Sequence, residues 1–458
     1  MNILLTADFG STFTKVSAVD IDNKKIVGVA KSFTTIETNV CEGFDNALKE
    51  LYAICGKIKF SKKFASSSAA GGLKMISCGL VPDLTAKASK MAASSAGAKV
   101  LKTYSYELSE HELEEIFVLK PDIILLSGGI DGGNKDVIVE NAKKLASIDS
   151  NFSVIVAGNK TVSGKIAEIL EKSGKKAIVT ENVMPEFNKL NILPAKEKIR
   201  DLFIENIIEA KGLSDIQKLM DREIVPTPLS VYEACEILEK EIGTLMAYDV
   251  GGATTDVYSM AAGTPTMLNV VIKGLPEPFA KRSVEGDIGV RYSISSLLEE
   301  AGADNISRNI SVSVKEIINW VETCKKTPET LPKTETEKKI DEELASQAVL
   351  ISANRHCGFF ESYYTPVGET FMQTGKDLSD VKYIIGAGGS VINAENPKKI
   401  LEKALFSPLD FSILKPKSAK MLLDKKNIFA AMGLLSREHP KTAVKIMQDE
   451  FLELGNDS

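Results

Sequence analysis

Two segments of the sequence place an aspartate directly before a tight turn rich in glycine and hydroxyl residues. Near the N-terminus an apolar stretch runs into Asp8-Phe9-Gly10-Ser11-Thr12-Phe13-Thr14-Lys15, and far downstream another runs into Asp249-Val250-Gly251-Gly252-Ala253-Thr254. Each segment predicts a β-hairpin whose turn carries a carboxylate and exposed backbone N–H groups. Such a turn suits phosphate oxygens, because its N–H groups can point into one concavity.

The two aspartates indicate that a metal ion completes the site. A carboxylate beside a phosphate is repulsive unless a cation lies between them, and Mg²⁺ favours one or two carboxylates together with phosphates and water. Asp8 and Asp249, contributed by two halves of the chain, are therefore the candidate metal ligands and catalytic groups around a triphosphate. The candidate contacts to the nucleotide in the two turns are Gly10, Ser11, Thr12, Phe13, Thr14, Lys15, Gly251, Gly252, Ala253 and Thr254.

A later strand ends in a third glycine motif, Tyr383-Ile384-Ile385-Gly386-Ala387-Gly388-Gly389-Ser390. Glycine has no Cβ, so a nucleoside could lie against this backbone, with Gly386, Gly388, Gly389 and Ser390 as its contacts. One Asp-x-Gly turn is usually only a turn, whereas two at equivalent places with a later glycine strand favour nucleotide binding. The P-loop and dinucleotide fingerprints do not fit. The earlier pair Gly128-Gly129 could be a second ligand loop or a strand-to-helix turn, and we favour the turn.

The doubled hairpin predicts two similar α/β lobes, residues 1–225 and 226–458, with the boundary near Pro226 and Pro228. Between residues 98 and 182 strands and helices alternate, which predicts βαβ units and a parallel sheet. We expect a Rossmann-like insertion in the first lobe there. Its predicted strands are Val100–Tyr106, Asp122–Ser127, Ser153–Ala157 and Lys176–Thr180, and its predicted helices are Glu110–Leu119 after a Ser109 cap, Lys135–Ala146 and Ser163–Lys172.

The composition excludes several classes of protein. The chain has 458 residues, of which 44% are hydrophobic and 26% charged, with a net charge of −6 and no basic block to bind nucleic acid. No apolar run approaches the ~20 residues of a membrane span. Six scattered cysteines without a C-x-x-C pair argue against a CxxC-type metal site and a disulfide framework, and three distant histidines against a His-rich metal centre. With no recognisable signal peptide, we expect a cytoplasmic protein.

The three glycine motifs, in this order, resemble the actin, Hsp70 and sugar-kinase superfamily of ATPases. In that superfamily they are the phosphate-1 loop, the phosphate-2 loop and the adenosine loop, and Phe429-Ala430-Ala431-Met432-Gly433 looks like its late interlobe helix. The resemblance implies an α/β fold, a two-lobed actin-like ATPase with duplicated ribonuclease H-like lobes. It also implies ATP or ADP and Mg²⁺ as cofactors.

Several longer segments resemble the glutamate mutase accessory family called MutL or GlmL, which is unrelated to mismatch repair. They are Ala65 to Leu73, Pro121 to Gly129, Met184 to Asn188 and Glu285 to Tyr292. This resemblance implies a reactivating factor, chaperone-like, whose partner is an adenosylcobalamin-dependent mutase, glutamate mutase or a related aminomutase. Weak ATP hydrolysis would drive the exchange of damaged cobalamin.

Four other acidic residues and one histidine are further candidates for the site. Hsp70-like members position the attacking water with a Glu about two dozen residues before the second loop; Glu223 and Glu233 are candidates here, and surface or helix-face charge explains either. Asp256 is expected to be a structural acid. Asp287 is expected near the site, although a turn explains it equally well, and His356 is expected to be packed or capping rather than a ligand.

Three other functions fit the same motifs. A small-molecule kinase would have the same fold and nucleotide loops. A dehydratase activator of the superfamily would share an iron–sulfur cluster between two subunits, for which the cysteine placement gives little support. A structural scaffold would bind no ATP.

Overall fold

The computed structural model of the chain describes residues 2–10, 12–34, 40–68, 74–96, 98–208, 213–366 and 368–455. The chain divides into two compact units. We call Ala7–Val16 with Ala30–Leu229 the N-terminal unit, and Met1–Thr6, Ser17–Val29 and Ser230–Ser458 the C-terminal unit.

The chain up to residue 226 contains ten strands, seven α-helices and one π-helical turn at Pro82–Ala86 in its described parts. The strands are β1 Ile3–Phe9, β2 Phe13–Asp20, β3 Lys25–Phe33, β4 Lys62–Ser67, β5 Lys74–Gly79, β6 Lys99–Ser105, β7 Ile123–Leu126, β8 Ser153–Val156, β9 Ala177–Val179 and β10 Val225–Pro226. The helices are α1 Val40–Cys55, α2 Lys87–Ser95, α3 Glu110–Leu119, α4 Asp136–Ser147, α5 Ser163–Lys172, α6 Leu193–Ile208 and α7 Leu213–Leu219.

The chain from residue 227 onward contains nine strands and nine α-helices in its described parts, with a 3-10 turn at Pro408–Asp410. The strands are β11 Leu245–Val250, β12 Thr255–Met260, β13 Val270–Lys273, β14 Ala280–Glu285, β15 Phe359–Thr365, β16 Gly368–Thr374, β17 Tyr383–Ala387, β18 Lys420–Leu423 and β19 Leu452–Glu453. The helices are α8 Thr227–Ile242, α9 Ile294–Ala301, α10 Ala303–Ile310, α11 Val314–Lys326, α12 Glu335–His356, α13 Gly389–Ile392, α14 Pro397–Glu402, α15 Phe429–Ser436 and α16 Pro440–Glu450.

Two of the sheets share one strand order. The first runs β3-β2-β1-β4-β10, and the second runs β14-β12-β11-β17-β18 with β19 added at its edge. In both, a hairpin lies beside a third strand on one side and two later strands on the other. In the second sheet β11 pairs antiparallel with β12 and parallel with β17. The repeat in the sequence therefore corresponds to a repeated sheet order, and the predicted mixed α/β class is confirmed.

The alternating region forms a separate parallel sheet in the N-terminal unit. Its order is β6-β5-β7-β8-β9, and each neighbouring pair is parallel. The sheet also contains β5, which lies before the range of about 98–182 expected from the sequence. Apolar residues of its strands and of α3, α4 and α5 pack into one core cluster.

The predicted helices of this region are confirmed to within one residue at each end. Ser109 accepts a hydrogen bond from Glu112 N, and the Glu112 side chain accepts one from Ser109 N, which is a capping box. The polar stretch from Lys325 to Lys339, whose composition and prolines predict an exposed loop, is a loop only between α11 and α12, because a capping box at Thr334 starts the long helix α12. None of the helices in the described ranges is long and apolar enough to cross a bilayer.

Candidate functional site

The two aspartate-bearing turns have the same local geometry. Gly10 N donates to Phe13 O at 3.1 Å, and Gly251 N donates to Thr254 O at 2.9 Å, so each turn closes over the same four-residue span. A Cβ on either glycine would lie 2.8 or 2.9 Å from that carbonyl oxygen, which real Cβ atoms do not tolerate. Both turns therefore require glycine at this position, two residues after the aspartate.

Asp8 is the penultimate residue of the buried strand β1 and is held by two hydroxyl groups. Its Oδ1 accepts hydrogen bonds from Ser66 Oγ at 2.9 Å and from Thr227 Oγ1 at 2.5 Å. The ammonium group of Lys15 lies 3.7 Å from Oδ2. Only 7% of Asp8 is exposed, so one carboxylate oxygen is fixed by neutral donors while the other faces a cation.

Ser66 and Thr227 were not predicted as site residues. Ser66 lies in β4 and Thr227 begins α8 directly after β10, and these two strands are parallel neighbours with Val225 opposite Ser66. Their hydroxyls meet Asp8 because adjacent parallel strands end at one edge of the sheet. Ser66 does lie in the segment from Ala65 to Leu73 that resembles the accessory family. That resemblance was the sequence feature that could have marked Ser66 as a site residue.

The other predicted residues of the first turn have structural partners or lie outside the description. Ser11 is outside the described residues. Thr12 O accepts a hydrogen bond from Thr34 N at 2.9 Å, and the Thr14 hydroxyl lies 3.1 Å from that of Thr34. The ring of Phe13 stacks on an aromatic ring of β3 with centroids 4.6 Å apart. The structure thus places Phe13 and Thr14 in contact with β3 and its end.

The second turn is braced by the segment that follows β14. The donors from this segment to the turn are Val290 N to Gly251 O (3.2 Å), Arg291 N to Gly252 O (2.8 Å) and Ser293 Oγ to Ala253 O (2.8 Å). The turn's carbonyl groups are thereby occupied. Among the described residues we find no acceptor for the N–H groups of Gly252, Ala253 and Thr254, so they are available to an anionic ligand.

The structure brings the second turn and the later glycine motif together within the C-terminal unit. Asp249 and Ala387 are register partners in the parallel pair β11 and β17. Gly388 has a φ of +86°, and a Cβ there would lie 2.3 Å from Val250 O and 2.8 Å from Asp249 Oδ1. The close approach of this backbone to the aspartate therefore requires glycine.

The remaining residues of the glycine motif differ in their surroundings. Gly386 lies inside β17, where a Cβ would meet side-chain atoms of Leu401 at 2.9 Å. Gly389 is exposed and Ser390 is half-buried, and both lie in the short helix α13. Asn393 Nδ2 donates to Gly389 O at 2.7 Å.

A groove of about 610 Å³ lies in the same unit, lined by side chains of α10, α12 and α14 and the turn before α14. Among its lining residues are Asn309, Glu343, Ser346, Asn396 and Lys399. The carboxylate of Glu342 accepts the backbone N–H groups of Glu395 and Asn396. This contact ties α12 to the segment that follows the glycine motif.

The described residues contain no group of three His, Cys, Asp or Glu side chains that could hold a metal alone. A metal at Asp8 or Asp249 would therefore need further oxygen ligands. Mg²⁺ fits such a donor set, because it is commonly bound through one or two carboxylates with phosphates and water completing its shell.

Three of the other acidic candidates form ion pairs, and two of these pairs involve Glu233 and Asp256. Glu233 binds Arg437 through two hydrogen bonds of 2.7 Å each. Asp256 is buried with Arg282, whose Nε lies 2.8 Å from Oδ1. Burial alone would lower the pKa of Arg282, but the charge of Asp256 raises it above its ordinary value. Asp256 is therefore the structural acid expected from the sequence, and Glu223 is exposed.

Asp287 and His356 also have structural partners. Arg355 donates to both oxygens of Asp287 at 2.9 and 3.0 Å, and it pairs with Glu285 as well. His356 is fully buried between the hydroxyls of Ser283 and Ser259, at 2.7 and 2.8 Å. Burial lowers its pKa well below the usual range, so the imidazole is neutral and packed, as predicted.

Comparison with solved structures finds chains that match nearly all of this chain at low sequence identity. Nucleotide-free acetone carboxylase matches 95% of this chain and 70% of its own, with 14% identity and a TM-score of 0.42. A nucleotide-free diol dehydratase-reactivating factor matches 96% of this chain and all of its own, with 10% identity and a TM-score of 0.38.

The sequence comparisons are much stronger. The family model described as MutL protein matches residues 4–451. Protein MutL of Clostridium tetanomorphum is 46% identical over 462 residues, covering 99% of this chain and 100% of the relative. The chain belongs to the MutL family.

Proposed function

We propose that this protein is an ATP-dependent accessory factor that reactivates an adenosylcobalamin-dependent mutase. Glutamate mutase or a related aminomutase is the proposed partner, and slow ATP hydrolysis is the proposed driving reaction. The observation that carries the proposal is the repeated turn, in which an aspartate precedes a glycine closed over the same four-residue span. Membership of the MutL family supports the accessory role.

The phosphate chemistry follows from the two turns. Three N–H groups of the second turn can bind phosphate oxygens, since they have no acceptor among the described residues. Mg²⁺ bound with the nucleotide would neutralise phosphate charge. Ser66 and Thr227 fix one oxygen of Asp8 and leave the other toward Lys15, and this second oxygen would be the one to hold the metal ion. Phosphoryl transfer to water depends mainly on positioning and charge neutralisation, which these residues can supply.

The nucleoside part of the ligand is proposed to lie along the glycine motif and in the adjacent groove. Gly389 is exposed at the start of α13, next to the buried Gly388 that packs against Asp249. Asn396, in the segment that follows the motif, lines the groove. Helix α12, which also lines it, packs on both α13 and α14. A pocket with a few convergent polar groups is the usual form of a small-molecule site.

The cycle we propose couples the nucleotide to the partner enzyme. ATP and ADP stabilise different conformations only if their interactions with those conformations differ in free energy. The γ-phosphate contacts of the two turns are the proposed source of that difference. Affinity for a mutase that holds damaged cobalamin would then depend on the nucleotide state.

The proposal is tested with three variants. Calorimetric titration with Mg-ATP should show binding by the wild type, and Asp8→Ala and Asp249→Ala should abolish ATP turnover while circular dichroism stays unchanged. Asp149→Ala, at an exposed position outside the turns, is the matched control and should hydrolyse ATP normally. Normal turnover in either of the first two variants would contradict the assignment.

A second experiment tests the accessory role itself. A mutase inactivated with hydroxycobalamin is incubated with this protein, fresh coenzyme and either Mg-ATP or no nucleotide. Recovery of mutase activity only with Mg-ATP is the expected result. No recovery under any condition, or ATP turnover that rises sharply with a sugar or acid acceptor, would contradict the role and favour a small-molecule kinase.

A further inference from the structure

One carboxylate in the wall of the groove has its two oxygens in different situations. Glu343 lies on α12, is only 9% exposed, and lines the groove. Its Oε1 accepts hydrogen bonds from Asn309 Nδ2 and from Gln347 Nε2, each at 2.7 Å. Its Oε2 accepts none from the described residues.

The two amide groups determine which oxygen can reach a ligand. Oε1 already takes two N–H donors, whose side chains come from α10 and from the next turn of α12. A buried carboxylate is costly unless it receives hydrogen bonds, and two charge-assisted bonds hold this one in a fixed orientation. Glu343 therefore offers a ligand one oriented oxygen, Oε2, beside the other polar groups that line the groove.

We infer that Glu343 selects the base of the bound nucleotide by accepting a hydrogen bond from an exocyclic amino group. The inference rests on the proposed function, which places the nucleoside in this groove. A carboxylate is an acceptor only. Adenine presents one amino group beside ring acceptors, and Oε2 is the oxygen of Glu343 that can accept from it. Guanine and hypoxanthine present a carbonyl at the same ring position, where it would face the carboxylate.

The inference is tested first on the wild type by measuring the dissociation constants of four nucleotides with Mg²⁺. They are ATP, purine riboside triphosphate, inosine triphosphate and GTP. Purine riboside lacks the amino group, so the loss of one hydrogen bond to a charged acceptor should weaken binding by about tenfold or more. Inosine triphosphate and GTP should bind at least as weakly. Equal affinities for ATP and purine riboside triphosphate would overturn the inference without any substitution.

The decisive variant is Glu343→Gln. The new amide oxygen can still accept from Asn309 and Gln347, and the amide nitrogen then turns a donor toward the groove. In this variant ATP should no longer bind more tightly than purine riboside triphosphate. The affinity for inosine triphosphate should rise relative to the affinity for ATP. A merely structural role would weaken all four nucleotides together and leave their ratios unchanged, which would overturn the inference.

Glu335→Gln on the same helix is the matched control, because Glu335 is exposed and outside the groove. Its affinity ratios should equal those of the wild type. If the wild type binds none of the four nucleotides, the proposed function itself fails. If it binds ATP but the Glu343→Gln ratios do not change, only the role of Glu343 fails.

Discussion

Replacing Gly388 by alanine should damage both the stability of the C-terminal unit and the position of Asp249. The backbone angles of Gly388, φ +86° and ψ 149°, lie in a region that only glycine adopts easily and cost an L-residue about 1–3 kcal/mol. The methyl group would also lie 2.3 Å from Val250 O and 2.8 Å from Asp249 Oδ1, so the strands must move apart. Overpacking of this kind costs about 1–3 kcal/mol. The two contributions predict a loss of about 2–6 kcal/mol in the free energy of unfolding.

The neighbouring glycine is the control for this prediction. A Cβ on Gly389 would meet no atom closer than Asn393 Nδ2 at 3.9 Å, and its φ is not in the left-handed region. Gly389→Ala should therefore keep the stability of the wild type in urea unfolding. Equal unfolding free energies for Gly388→Ala and the wild type would refute the argument that close backbone approach at Asp249 requires glycine.

Three further substitutions have expected outcomes that follow from single contacts. Thr227→Val removes a hydroxyl donor to Asp8 and should cost about 1.5–3 kcal/mol of stability and lower ATP turnover; urea unfolding and a phosphate-release assay measure both, and Thr227→Ser should restore both. Asp256→Ala removes the carboxylate that pairs with the buried guanidinium of Arg282 and should cost about 3–5 kcal/mol in urea unfolding, so an unchanged midpoint would contradict the importance of this ion pair. Burial lowers the pKa of Lys376 to about 7. The unfolded chain then binds more protons than the folded chain between pH 7 and the ordinary lysine pKa, so stability should rise from about pH 7 to 8.5, with a slope approaching ~1.4 kcal/mol per pH unit. Lys376→Met should abolish this lysine-dependent rise. If the variant and the wild type show the same pH dependence of the unfolding free energy, the ammonium group of Lys376 stays protonated in the folded protein and the prediction is contradicted.

The sequence predicted correctly those helices and hairpins whose stabilising contacts lie between residues close together in the chain. The helix from Glu110 to Leu119 was predicted with its cap, because Ser109 and Glu112 are three residues apart and satisfy each other's backbone groups. The hairpin of β11 and β12 was predicted because apolar strands flank a glycine turn. The parallel sheet was predicted without β5, because the strand's partners β6 and β7 lie far along the chain.

The candidate site was predicted only where residues lie in one turn. Asp8 and Gly10 follow from the motif, whereas Ser66 and Thr227 reach Asp8 across 58 and 219 residues of sequence. Contacts of this separation depend on strand order, which no local pattern specifies. Glu343 was missed for a related reason: its amide partner Asn309 lies on α10, 34 residues earlier in the chain.

A crystal structure with a non-hydrolysable ATP analogue and Mn²⁺ in place of Mg²⁺ tests the central claim most directly. The account predicts phosphate oxygens on the N–H groups of Gly252 to Thr254, and an anomalous metal peak whose ligands include oxygens of Asp8 or Asp249, directly or through water. A nucleotide bound away from these turns, or a metal peak that neither aspartate approaches, would contradict it.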